Sequence, residues 1–99
     1  MLQHVVLLRF VPSCTAADLD CISQRFAKLA QLVPGILSLS GGQDCSPEGL
    51  QQGFTHGWLL QFPDAAARDA YLIHPAHLEF VNFMQPFVAH VLVSDFPAS

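Results

Sequence analysis

The chain has 99 residues, which is room for one domain and no second core. Hydrophobic residues make up 52% and charged residues 12%, against a norm of roughly 25% charged; this excludes disorder and leaves more apolar surface than one small domain can hide alone. Four Lys and Arg against eight Asp and Glu give a formal net charge of −4, which disfavours nucleic acid as a partner.

Residues 3–10 (QHVVLLRF) read as a first strand buried on both faces, with His4, Val6, Leu8 and Phe10 on one and Val5, Leu7 and Arg9 on the other. Pro12-Ser13 breaks it, and Thr15 with Asp18 resembles a capping box for a helix whose apolar positions are Leu19, Ile22, Phe26, Leu29 and Val33. Pro34-Gly35 stops that helix. Ile36 to Ser40 reads as a second strand ending at Gly41-Gly42, before a polar, turn-rich loop. Phe54 to Phe62 forms a third strand, with Phe54, His56, Trp58, Leu60 and Phe62 sharing a face. Asp64 can cap a helix from Ala65 to about Ile73, and Pro75 puts a kink or a fresh helical start at His74-Pro75. Leu78, Val81 and Met84 continue a helical stripe to Pro86. Val88 to Asp95 is the last strand, with His90 expected on the same face as Val88 and Leu92.

This order of elements predicts an α+β, ferredoxin-like fold over residues 1–99, a four-stranded antiparallel sheet with helices on one face. The other face needs its own cover, and a second copy of the sheet supplies it, so a homodimer is expected. No apolar run reaches the 18 or so residues of a membrane span, so no membrane partner is expected and the cytoplasm is the default location. Cys14, Cys21 and Cys45, an odd number without a CxxC pair, read as reduced thiols.

Five histidines carry the chemical signal: His4, His56, His74, His77 and His90. His4 and His56 sit on strand faces that can look toward the same helices, so one pocket could hold both imidazoles. In Tyr71-Leu-Ile-His74-Pro-Ala-His77 the break at Pro75 lets Tyr71 and His77 converge from two helical pieces, while His74 is better placed as a cap. The bland alternative is that these rings are satisfied core residues. His74 and His77 alone are too few ligands for a metal, no nucleotide-binding glycine motif is present, and the G-x-S-x-G elbow of a serine hydrolase is missing, so no metal or cofactor is expected.

The stretches HVVLLRF at the start, Phe54-Thr-His56, Tyr71-Leu-Ile-His-Pro-Ala-His77 with Phe80, and Val93-Ser-Asp95-Phe at the end resemble the stress-responsive dimeric α+β barrel (Dabb) family over nearly the whole chain. The resemblance implies a ferredoxin-like protomer whose sheets pair in a homodimer. A few members resemble plant polyketide cyclases of the olivetolic acid cyclase type, and by motif position that likeness implies catalytic roles for Tyr71 and His77, with His4 and His56 lining the cavity. Phe26 and Trp58 are the large apolar side chains expected beside them at a small, apolar or ketone-bearing ligand. Phe26 and Phe54 stand where the cyclase carries tyrosines, making the pocket more apolar here. Two functions follow as expectations: a cofactor-independent, cyclase-like lyase or isomerase acting by proton abstraction, or a non-catalytic stress-linked dimer that binds an apolar molecule or a partner protein.

Overall fold

The computed structural model describes residues 1–98, arranged as β1 (Leu2–Phe10), α1 (Ala16–Leu32), β2 (Ser38–Gln43), β3 (His56–Phe62), α2 (Ala65–Leu72), α3 (Pro75–Met84), a 3-10 turn (Gln85–Phe87) and β4 (Val88–Pro97). The strands form one antiparallel sheet in the order β2-β3-β1-β4, the ferredoxin-like arrangement, with the helices on a single face. No helix among the described residues is long and apolar enough to cross a membrane.

Local chemistry accounts for the boundaries. Thr15 and Asp18 form a reciprocal capping box: the Asp18 amide donates to Thr15 Oγ1 at 3.1 Å and the Thr15 amide donates to Asp18 Oδ2 at 2.9 Å. Gly35, at φ 96°, turns the chain out of α1 in a conformation that favours glycine. The Asp64 carboxylate caps α2 by accepting from the Ala67 amide, and the His74 ring caps α3 by accepting from the Ala76 amide at 3.0 Å. Pro75 occupies the first turn of α3, where its missing N–H costs nothing.

Register sets which side chains face the helices. His4 lies between Leu60 and Asp95, Val6 between Trp58 and Val93, and Leu8 between His56 and Val91. These rows, with Ile22, Phe26 and Leu29 of α1, Tyr71 of α2 and Phe80 and Met84 of α3, make the core. The opposite face presents Val5, Leu7, Leu59, Leu92 and Phe96; in the single chain it is only partly buried, so β1 is not enclosed on both sides as its composition suggested.

Two boundaries and one strand face differ from expectation. Gly41 and Gly42 lie within β2 rather than ending it, because the Trp58 ring covers Gly41 and a Cβ there would run into the indole. Phe54 precedes β3: its amide donates to the Gln51 carbonyl in a turn, and its ring meets His90 edge-on. A register shift at Arg9/Phe10 sets Val88 opposite Phe10 and His90 opposite Arg9, so His90 shares its face with Leu92 but not with Val88.

Candidate active site

Between the sheet and the two C-terminal helices lies a cavity of about 390 Å³. His4, Tyr71 and His77 line one part of it, and Val6, Leu8, Phe26, Phe80, Met84, Val88, Val91 and Val93 supply an apolar wall. Val91 and Val93 are 56% and 54% exposed, so the cavity opens along β4.

Tyr71 sits in the last turn of α2 and His77 in the first turn of α3. The break at His74-Pro75 brings them together, with ring centroids 4.2 Å apart and an interplanar angle of 39°. The Tyr71 ring is buried against Phe62 at 5.3 Å and meets His4 edge-on at 5.9 Å. Burial pushes the Tyr71 phenol well above its ordinary range, so it keeps its proton at neutral pH.

His77 Nδ1 lies 3.1 Å from the Leu72 carbonyl. A carbonyl can only accept, so Nδ1 carries the proton and Nε2 keeps its lone pair. Burial lowers the His77 pKa; the bond to Leu72 partly opposes this, and nearby His4 adds to the lowering. The outcome is a neutral imidazole at pH 7, suited to accept a proton.

His4 is almost wholly buried, and its Nδ1 stands 2.6 Å from Asp95 Oδ1. The other carboxylate oxygen of Asp95 accepts from Arg68 Nη1 at 2.7 Å. Among the described residues no buried side-chain nitrogen or oxygen is left without a partner. Neither His4 Nε2 nor the Tyr71 hydroxyl bonds to a protein group there, so both must reach the cavity surface.

The expected site residues therefore separate. Tyr71, His77, His4 and Phe26 line one cavity, while His56 and Trp58, expected beside them, do not. The cause is a partition. Trp58 stacks on Phe26 with centroids 4.8 Å apart and 12° between planes, and with Gly41 beneath it the pair fills the space between sheet and α1. His56 lies beyond that plug, stacked on Trp58 at 6.0 Å, hydrogen-bonded to Thr55 and lining a separate groove of about 410 Å³ with Gln43 and Asp44. Burial lowers its pKa as well.

His74 and His77 turn their Nδ1 atoms to separate backbone groups, and no cluster of three or more metal-ligating side chains is gathered among the described residues. Asp95 and Arg68 were missed as partners of the site. A carboxylate alternating with Val91 and Val93 on an otherwise apolar strand face was the available signal for Asp95; Arg68, 27 residues away in sequence, gave none.

Comparison with known proteins matches residues 2–98 to the Stress responsive A/B Barrel Domain family. The stress-response A/B barrel domain-containing protein HS1 of Arabidopsis thaliana is 31% identical over 94 residues, covering 95% of this chain and 86% of HS1. Olivetolic acid cyclase of Cannabis sativa is 24% identical over 94 residues, covering 95% of this chain and 93% of the cyclase. Among solved structures, an Arabidopsis thaliana protein superposes with a TM-score of 0.95 at 29% identity, covering 100% of this chain and 96% of that one. The hydroxynitrile lyase of Passiflora edulis shares the fold, with a TM-score of 0.90 at 24% identity over 96% of this chain and 90% of the lyase. A dimeric ferredoxin-like protein of unknown function from Jannaschia gives a TM-score of 0.82 at 27% identity over 98% of each chain.

Proposed function

The chain belongs to the stress-responsive A/B barrel domain family, and from that premise we propose that it is a homodimeric, cofactor-independent enzyme that abstracts a proton from a small apolar ketone. The observation that carries the reading is the placement of the Tyr71 and His77 rings 4.2 Å apart on the wall of one cavity. His77 Nε2 is the base. It takes a proton from the carbon between two carbonyls, whose hydrogens are acidic enough for a neutral imidazole positioned within about 3 Å. The electron pair left behind moves onto a carbonyl oxygen, where the Tyr71 hydroxyl donates to the enolate. The cavity-facing His4 Nε2 accepts from the hydroxyl of an enolised second carbonyl, and Phe26 with the apolar wall holds the rest of the molecule and excludes water. The enolate carbon can then attack another carbonyl of the same chain, closing a ring as the His77 imidazolium returns its proton to the new alkoxide, or the enolate can be protonated on oxygen, giving the enol isomer. Olivetolic acid cyclase, a relative by sequence, and the hydroxynitrile lyase, which shares the fold, support a catalytic reading.

The test is exchange of the α-hydrogens of a β-diketone bearing an alkyl tail, followed in deuterated buffer. The wild-type chain is expected to accelerate exchange and His77→Ala to lose most of that acceleration; equal rates for the two would refute the role of His77.

The apolar patch of Val5, Leu7, Leu59, Leu92 and Phe96 on the uncovered sheet face supports pairing with a second copy, in line with the dimeric relative from Jannaschia. Sedimentation should give a dimer at micromolar concentration, and a stable monomer would refute this part. Three free cysteines agree with residence in the reducing cytoplasm. The predominantly apolar lining also suits a second reading, a non-catalytic dimer that holds an apolar ligand; exchange activity decides between them.

A further inference from the structure

We infer that Arg68 is a positioning residue which, through Asp95, sets the tautomer His4 presents to the cavity. Three side chains from three elements make the chain of contacts. Arg68 reaches from α2 to the edge strand β4, its Nη1 donating to Asp95 Oδ2 at 2.7 Å. Asp95 Oδ1 meets His4 Nδ1 of the neighbouring strand β1 at 2.6 Å. His4 and Asp95 are direct cross-strand partners, so the backbone already holds them side by side.

Without Arg68, nothing else among the described side chains engages Oδ2, and the carboxylate is free to rotate about its last bond. Arg68 is itself held: its Nε donates to Asp69 Oδ1 at 2.9 Å, so the guanidinium is braced on one carboxylate while it restrains another. The side chains of Arg68 and Asp95 are 24% and 19% exposed, and that of His4 is 4%. The solvent-facing end of the chain of contacts therefore controls its buried end.

The consequence is chemical. A carboxylate fixed on Nδ1 demands the proton there, which leaves His4 Nε2 as an acceptor facing the cavity. Released, His4 would interchange tautomers, and its cavity-facing nitrogen would be a donor for part of the time. With Arg68 in place the polar end of the cavity offers two acceptors, His4 Nε2 and His77 Nε2, and one donor, the Tyr71 hydroxyl. The effect on a bound ketone rests on the function proposed above; the tautomer itself does not.

The experiment reads the His4 ring nitrogens by long-range proton–nitrogen NMR without any ligand, at about pH 8, where an ordinary imidazole is neutral. In the wild-type chain His4 is expected as a single species protonated at Nδ1. Arg68→Met, which keeps the length of the stem but not the guanidinium, is expected to give a mixture with Nε2–H visible, while Arg68→Lys recovers part of the wild-type population. The His74 and His90 signals serve as the control for an intact fold. Unchanged His4 nitrogens in Arg68→Met would overturn the inference, whether or not any ketone is turned over. Where Met at this position unfolds the chain, Arg68→Gln, a good helix former with a polar head, is read in the same way and decides the matter.

Discussion

The space between the sheet and its helices is treated differently at its two ends. At one end Trp58 lies over Gly41 and stacks on Phe26, and the interior is filled by aromatic rings. At the other, His4, Tyr71 and His77 border a cavity of about 390 Å³ that opens along β4. Rings of comparable size are used in both places. The lesson is that the β2 side contributes a residue without a Cβ where a plug must settle, whereas the β4 side contributes valines too short to fill the gap opposite Phe26 and Phe80.

The largest effect that would break this contrast lies in the hollow end. His77→Ala is expected to lower ketone exchange by about a hundred- to ten-thousand-fold, the usual contribution of a positioned general base, with the dimer intact by sedimentation. A loss smaller than about tenfold would remove His77 from the mechanism.

The filled end should respond in stability instead. Gly41→Ala puts a methyl group into the Trp58 ring, and overpacking of this kind typically costs about 1–3 kcal/mol, measured as a shift in the denaturant midpoint. Added bulk should have the opposite consequence across the cavity. Val93→Phe, at a half-exposed position on the open wall, should change stability by no more than about 0.5 kcal/mol while weakening the binding of an alkyl-tailed β-diketone. Equal stability losses at the two positions would mean that the ends do not differ.

The smallest expected effect is in pH dependence. His77 has its pKa lowered from the ordinary 6.5, chiefly by burial, so the unfolded chain binds more protons than the folded one just below that value. The associated stability is whole above 6.5 and declines as pH falls through it toward the lowered pKa. His56 acts in the same direction. Replacing His77 with Asn should flatten the acid side of a thermal-unfolding profile in proportion, and in the wild-type chain the acid limb of the proposed exchange activity should fall below 6.5.

Much of this architecture was legible because local chemistry and tertiary packing agree. The Thr15–Asp18 box, the Asp64 cap and the His74-Pro75 break each appear where side-chain hydrogen bonding requires them, and the last of these joins Tyr71 to His77. What stayed hidden depends on partners distant in the chain. Gly41 looks like a strand terminator until Trp58 is seen lying on it. The separation of His56 from His4 depends on the Phe26–Trp58 stack, which strand alternation alone does not reveal. The register shift opposite Phe10 moves Val88 away from the face of His90, and no residue within β4 announces it. Arg68 reads as an ordinary solvent-facing helix residue until β4 brings Asp95 beneath it.

A phenol and an imidazole on either side of a proline break share a reachable cavity, the proposed binding place of a ketone. Titrating the chain with an alkyl-tailed β-diketone while following all five histidine rings tests it most directly. Saturable shifts are expected at His77 and His4 and should diminish in Tyr71→Phe, with His74 and His90 unmoved. Shifts confined to His56 or His90, or none at any ring, would contradict it.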